Sequence, residues 1–305
     1  MGAVLMAALS LRPVPVCVLS GSAPPLAEHG HDPAAYVEIG SLTKVLTGTA
    51  LIRMARAGLL GLDDTVEQWL PAVPGSGITL RMLAAHTSGL PRLPPGPTGR
   101  DPYAAFDEDA LRTVLGRLAE VVVRPPGAQE EYSNLGYAVL GAALVSAAGL
   151  PYEDVVREHV LAPLGVDEVT AHPPADRLLG ARNLFGRERA RWTMDGPILP
   201  AGGLWATPRA LATVVTELLL ERALGEPAPS WQSAGPLLWH NGATRDASAF
   251  TGVFPDTGNW VLVHRLGGSS ARTDKIGLDR LAAASAAATT AAAKNTSELP
   301  EDERT

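Results

Sequence analysis

Residues 41 to 57 read as a helix with apolar side chains round most of its circumference: Leu42, Val45, Leu46, Ala50, Leu51 and Met54 leave it no wide polar face. Gly58 follows where a helix takes a left-handed stop. Such a helix cannot lie on a surface, so the rest of the fold must enclose it. The chain is long enough to do so. Its 305 residues would bury roughly three quarters of the surface exposed by the unfolded chain.

The segments around this helix change period along the chain. Pro13 to Leu19 is short and β-branched and ends at Ser20-Gly21-Ser22, the signature of a strand, and Pro24 to Gly30 is positioned as its hairpin partner. Between about 61 and 194 short helical patterns alternate with turns. Leu111 to Val123, Gly136 to Ala148 and Tyr152 to Leu161 have apolar residues three and four apart, and Pro91 to Pro102 reads as an exposed loop. Strands return at Leu237 to His240, Ser248 to Phe254 and Asn259 to Leu266, the last two joined by the turn Pro255-Asp256-Thr257-Gly258. Leu278 to Ala293 is an alanine-rich helix, and Lys294 to Thr305 a disordered acidic tail. The order implies an α/β (α+β) fold: an antiparallel sheet flanked by helices, with an all-helical insertion. Residues 1–293 form a single domain, its α/β part at about 1–60 and 195–293 and its helical part at about 61–194.

Composition excludes several function classes. A formal net charge of -7 without a basic run disfavours phosphate backbones, so no nucleic-acid partner is expected. One cysteine, Cys17, excludes an internal disulfide and a thiolate metal cluster. No stretch approaches the roughly 18 apolar residues of a membrane span. Met1 to Leu11 is apolar but lacks a positive start and a small-residue cleavage site, so it reads as the first structured element of a cytoplasmic protein.

Three short motifs could carry chemistry. Ser41-Leu42-Thr43-Lys44 heads the enclosed helix, where a three-residue step brings Ser41 and Lys44 to one face. A serine hydroxyl needs a neighbouring base, and burial lowers a lysine toward the neutral form that can serve as one. The same four residues also describe a capped helix with a solvated lysine. Tyr132-Ser133-Asn134 precedes the helix at Gly136 and would equally serve as its N-cap. His240-Asn241-Gly242 ends a strand and would equally be a turn. Each is weak alone, and their order and spacing together are not.

In that order the sequence resembles the serine β-lactamase and penicillin-binding D,D-peptidase superfamily, in its class C and esterase-like branch. That pattern runs S-x-x-K, Y-x-N, then K-T-G or H-x-G, matched at Ser41/Lys44, Tyr132/Asn134 and His240/Gly242. Leu62-Asp63-Asp64, the run from Leu83 to Pro91, Pro126-Gly127, Pro163-Leu164-Gly165 and Ala201-Gly202-Gly203-Leu204 extend the likeness from about Val14 to Leu266. The resemblance implies covalent acyl transfer with Ser41, Lys44 and Tyr132 catalytic. The backbone N–H groups of Ser41 and Ala243 would form the oxyanion hole, and Asn134 would hold the substrate's amide or acyl side chain. His240, Asn241, Gly242, Trp205 and Trp239 complete the expected substrate-binding set.

Departures sharpen the expectation. His240 stands where many relatives carry a lysine that meets a substrate carboxylate, and no E-x-x-L-N segment supplies a glutamate for deacylating water. A transacylase or esterase acting on a small-molecule acyl donor and acceptor, without metal or organic cofactor, fits best. A β-lactamase or D,D-carboxypeptidase is the first alternative, and a non-catalytic binding protein on the same fold the second. Monomer and homodimer stay open. His86 lies in a structural run of the family, and His29-Gly30-His31-Asp32 reads as a turn more readily than as a metal site.

Overall fold

A computed structural model describes residues 13–96, 99–183 and 185–297; Met1 to Leu11 therefore lies outside the described residues. Strands β1 (Val16–Ser20) and β2 (Leu26–Glu28) form the expected hairpin and open a six-stranded sheet. Its other strands come from the far end of the chain: β6 (Gln232–Ala234), β7 (Leu237–Ala243), β8 (Ala247–Phe254) and β9 (Asn259–Leu266). The order β2-β1-β9-β8-β7-β6 is antiparallel throughout, so the two ends of the chain meet where β1 pairs with β9. The β8–β9 turn is as expected, with Gly258 at φ 71° closing back onto Phe254. A second sheet of three two-residue strands, β3 (Val37–Glu38), β4 (Val169–Thr170) and β5 (Trp205–Ala206), is too short to leave a periodic signal in sequence.

The central helix α1 (Thr43–Arg56) is enclosed as its composition demands. Leu42, Leu46, Leu51 and Met54 are all buried, and a 3-10 turn at Gly40–Leu42 leads into it. The helical region supplies α2 (Val66–Trp69), α3 (Leu80–Ala84), α4 (Glu108–Leu115), α5 (Leu118–Val121), α6 (Asn134–Ala148) and α7 (Tyr152–Val156), the last continuing as a π turn to Leu161. The stretch expected as one helix from Leu111 to Val123 is two, broken near Gly116, and the first begins earlier on the N-cap Asp107. Helix α6 forms as predicted, with Ser133 as its N-cap and Gly149 at φ 66° as its stop.

Beyond the insertion come α8 (Leu199–Gly202) and α9 (Pro208–Leu219). Sequence reading passed over α9, although Thr207 caps it and Pro208 opens it. The terminal helix α10 (Ser270–Ser297) starts eight residues before the expected Leu278 and runs through the first residues of the expected tail, whose remainder is outside the described residues. Phe250, Val261 and Val263 on one sheet face pack with Leu281 of α10, while Cys17, Leu19, Ala249 and Leu262 on the other face join the core around α1. Among the described residues no single helix is long and apolar enough to cross a membrane.

Candidate active site

Ser41 lies on the 3-10 turn, one residue before the α1 N-cap, and is half-buried. The turn and β7 meet backbone to backbone. Gly40 has φ 52°, and a Cβ there would stand 2.8 Å from the backbone nitrogen of Ala243. A Cβ on Gly242 would stand 2.1 Å from the Ile39 carbonyl oxygen. Two glycines therefore let the serine turn approach the strand edge, and the segments carrying the Ser41 and Ala243 amides adjoin.

Lys44 is 0% exposed, and its Nζ is 3.4 Å from Ser41 Oγ and 2.8 Å from Asn134 Oδ1. It also donates to the Ala201 carbonyl on α8. Burial, with Arg92 adding to it, holds the Lys44 amine well below the usual lysine range. A neutral amine has two hydrogens and one lone pair. In that neutral form Asn134 and Ala201 would take the hydrogens, and the lone pair would be open to the Ser41 hydroxyl.

Tyr132 Oη donates to Ser41 Oγ across 2.5 Å. Burial pushes this phenol up to about 12, with the Ser41 bond and Arg92 opposing, so it is a neutral donor at neutral pH. Tyr132, Ser41 and Lys44 are thus joined in one hydrogen-bonded chain centred on the Ser41 hydroxyl. The loop residue His86 braces it. This residue has φ 58°, its Nδ1 accepts from the Ser133 amide at 3.1 Å, and its ring lies 4.6 Å from that of Tyr132. The His86 ring thus meets tyrosines and a backbone amide.

The residues expected to contact substrate have differing surroundings. Asn134 has both ends of its amide occupied, Oδ1 by Lys44 and Nδ2 by the Tyr103 hydroxyl at 2.6 Å. Trp239 and Asn241 point to the opposite face of β7 from His240 and Gly242, because side chains alternate along a strand. Trp239 stacks on Phe250 beneath α10, and Asn241 donates to Asp274 of that helix at 3.0 Å. Arg191 covers the Trp205 ring at 4.8 Å, and Trp205 lines a cavity of about 320 Å³ with Glu38, Met194 and Gly202. His240 faces the site side but is 1% exposed, and burial holds its imidazole down at about 4, hence neutral.

Two contributors escaped sequence reading. Tyr103 sits in no motif, so no local signal marks it. The Ala201 carbonyl lies within the Ala201-Gly202-Gly203-Leu204 run, whose backbone role no side-chain argument shows.

Together the fold and the paired Ser41, Lys44 and Tyr132 define a serine β-lactamase-like protein. The β-lactamase family model matches residues 18–284, and the chain belongs to that family, whose members are serine hydrolases. The D-alanyl-D-alanine-carboxypeptidase/endopeptidase AmpH of Escherichia coli (strain K12) is 33% identical over 182 residues, covering 57% of this chain and 46% of the relative. Penicillin-binding protein 4* of Bacillus subtilis (strain 168) is 30% identical over 44% of this chain and 30% of its own length. The chain thus spans less than half of these curated relatives. Among solved structures, the D-amino acid amidase of Ochrobactrum anthropi SV3 superposes with a TM-score of 0.74 at 19% identity, covering 93% of this chain and 96% of that one. A β-lactamase/D-alanine carboxypeptidase from Yersinia pestis gives 0.70 at 24% identity, covering 88% and 92%.

Proposed function

We propose that the chain transfers an acyl group from an ester or amide donor to an amine, alcohol or water through an acyl-Ser41 intermediate, as a transacylase or esterase of small-molecule chemistry. The observation that carries this reading is the hydrogen-bonded chain of Tyr132, Ser41 and Lys44, ending on a fully buried amine whose basicity burial lowers. Ser41 Oγ attacks the carbonyl carbon as its proton passes to Lys44. The tetrahedral oxyanion faces the backbone N–H groups of Ser41 and Ala243. As the bond to the leaving group breaks, Tyr132 gives that group a proton and recovers one from the Lys44 ammonium. Deacylation runs the same proton path backwards, the acceptor's proton passing to the amine.

His240 supports an acyl-transfer substrate uncharged at that point, because a neutral imidazole adds no positive charge for a carboxylate. The carboxypeptidase and β-lactamase names among the relatives support the second reading, hydrolysis of a peptide or lactam. Intact-protein mass spectrometry within seconds of mixing with a small activated ester, with and without an amine, separates them, using Ser41→Ala as control. The proposal expects a Ser41-dependent adduct that the amine clears as its amide. A cephalosporin turned over far faster than any simple ester would favour the second reading, and absence of both adduct and ester turnover would remove the catalytic one.

A further inference from the structure

The amide of Asn134 is useful to Lys44 in only one of its two orientations. With Oδ1 toward Nζ it accepts an amine hydrogen and leaves the lone pair for Ser41. Turned over, its NH2 group would donate into that lone pair and compete with the serine proton. Something must therefore decide the orientation, and the neighbour on the far side of the amide is the Tyr103 hydroxyl, 2.6 Å from Nδ2. Tyr103 is 4% exposed and sits between two loops that are clasped together. Asp101 Oδ1 accepts from the Tyr103 amide at 3.1 Å, while its Oδ2 accepts from the Thr193 amide and hydroxyl, both at 2.7 Å. Trp192 Nε1 donates to the Arg100 carbonyl at 3.0 Å, and the Trp192 ring meets the Tyr103 ring edge-on at 5.9 Å.

We infer that Tyr103 is a positioning residue, whose hydroxyl fixes the Asn134 amide with its oxygen toward Lys44 and so keeps the lysine lone pair open to Ser41. This rests on the reading of Lys44 as the base for Ser41. Removing the hydroxyl leaves the Nδ2 hydrogens without their acceptor, and the amide regains its freedom to turn. Other groups around Lys44 are the rings of Tyr132 and Tyr137 and the side chains of Arg92, His86 and His240; Tyr103 also interacts with Tyr132 and Arg92, a route that the Asn134→Ala background below separates from the one through the amide.

The test reads the lysine directly. The chain holds three lysines, Lys44, Lys275 and Lys294, so lysine labelled with carbon-13 at Cε gives three NMR signals, with Lys44→Met identifying the buried one. Tyr103→Phe is expected to move the Lys44 midpoint further down by roughly half a unit or more, the size of one neutral hydrogen bond. Acyl-Ser41 formation should slow by about 3- to 10-fold at unchanged KM. In an Asn134→Ala background the same substitution should change neither quantity, because its route to Lys44 is gone. An unmoved midpoint, or an equal effect of Tyr103→Phe with and without Asn134, overturns the inference. The lysine titration needs no turnover, so it decides the role of Tyr103 even if the acyl-transfer reading fails in the mass-spectrometric assay.

Discussion

Lys44 Nζ and Asn134 Oδ1 stand 2.8 Å apart, joining residues 90 positions distant in sequence. The bond ties the enclosed helix to the helical region and leaves the base an acceptor it cannot replace from water. Asn134→Leu should therefore lower both acylation and stability, the latter by about 1–3 kcal/mol for a buried donor left unsatisfied. Urea unfolding alongside ester acylation checks this, and an unchanged midpoint would remove Asn134 from the support of Lys44.

Lys44→Met replaces the amine with an apolar chain of similar length at a fully buried position. The fold should persist while acyl-Ser41 formation falls by about 100-fold or more, the usual share of a general base. In the unchanged protein the acylation rate should rise with pH through the Lys44 midpoint, since only the neutral amine accepts the proton. A rate flat with pH, or retained in Lys44→Met, would assign the base elsewhere.

Four buried histidines should make the protein acid-sensitive well above carboxylate pH. Burial is the leading cause in each case, holding His31 and His240 at about 4 and His86 and His264 at about 3, against 6.5 ordinarily. Between these values the unfolded chain binds protons that the folded one refuses, so stability is full above pH 6.5 and lost as pH falls toward 4 and 3. Thermal unfolding from pH 8 to 4.5 should show Tm dropping below about 6.5. A Tm flat across that window would mean these rings protonate freely in the fold.

Gly242→Ala should disrupt the site more than any side chain on that strand would suggest. The added methyl would sit 2.1 Å from the Ile39 carbonyl oxygen, so the serine turn must recede from β7. A loss of about 1–3 kcal/mol is expected for such overpacking, together with loss of the Ser41 adduct. Wild-type adduct formation in this variant would show that the turn and the strand need not touch.

Much of this was legible beforehand because the informative residues are local. Ser41 and Lys44 share a helix entrance, and Tyr132 abuts a capped helix, so spacing alone brackets them. That Trp239 and Asn241 lie on the other strand face from His240 and Gly242 was not legible, because closeness in sequence does not tell which face of a strand meets the serine. Tyr103 was invisible for the opposite reason: its partner is 31 positions away, and the loop that carries it has no periodicity. The π turn after α7 and the two-residue strands likewise depend on tertiary packing and leave no pattern.

The depressed basicity of Lys44 exists only where α1, α6 and α8 close around it. Before that closure the same lysine is an ordinary surface cation and Ser41 an ordinary alcohol. A nascent or partly opened chain therefore carries no competent nucleophile, and reactivity switches on at the last stage of assembly. Labelling of Ser41 by an activated ester would then double as a clock for that closure, reporting when the three segments have locked together.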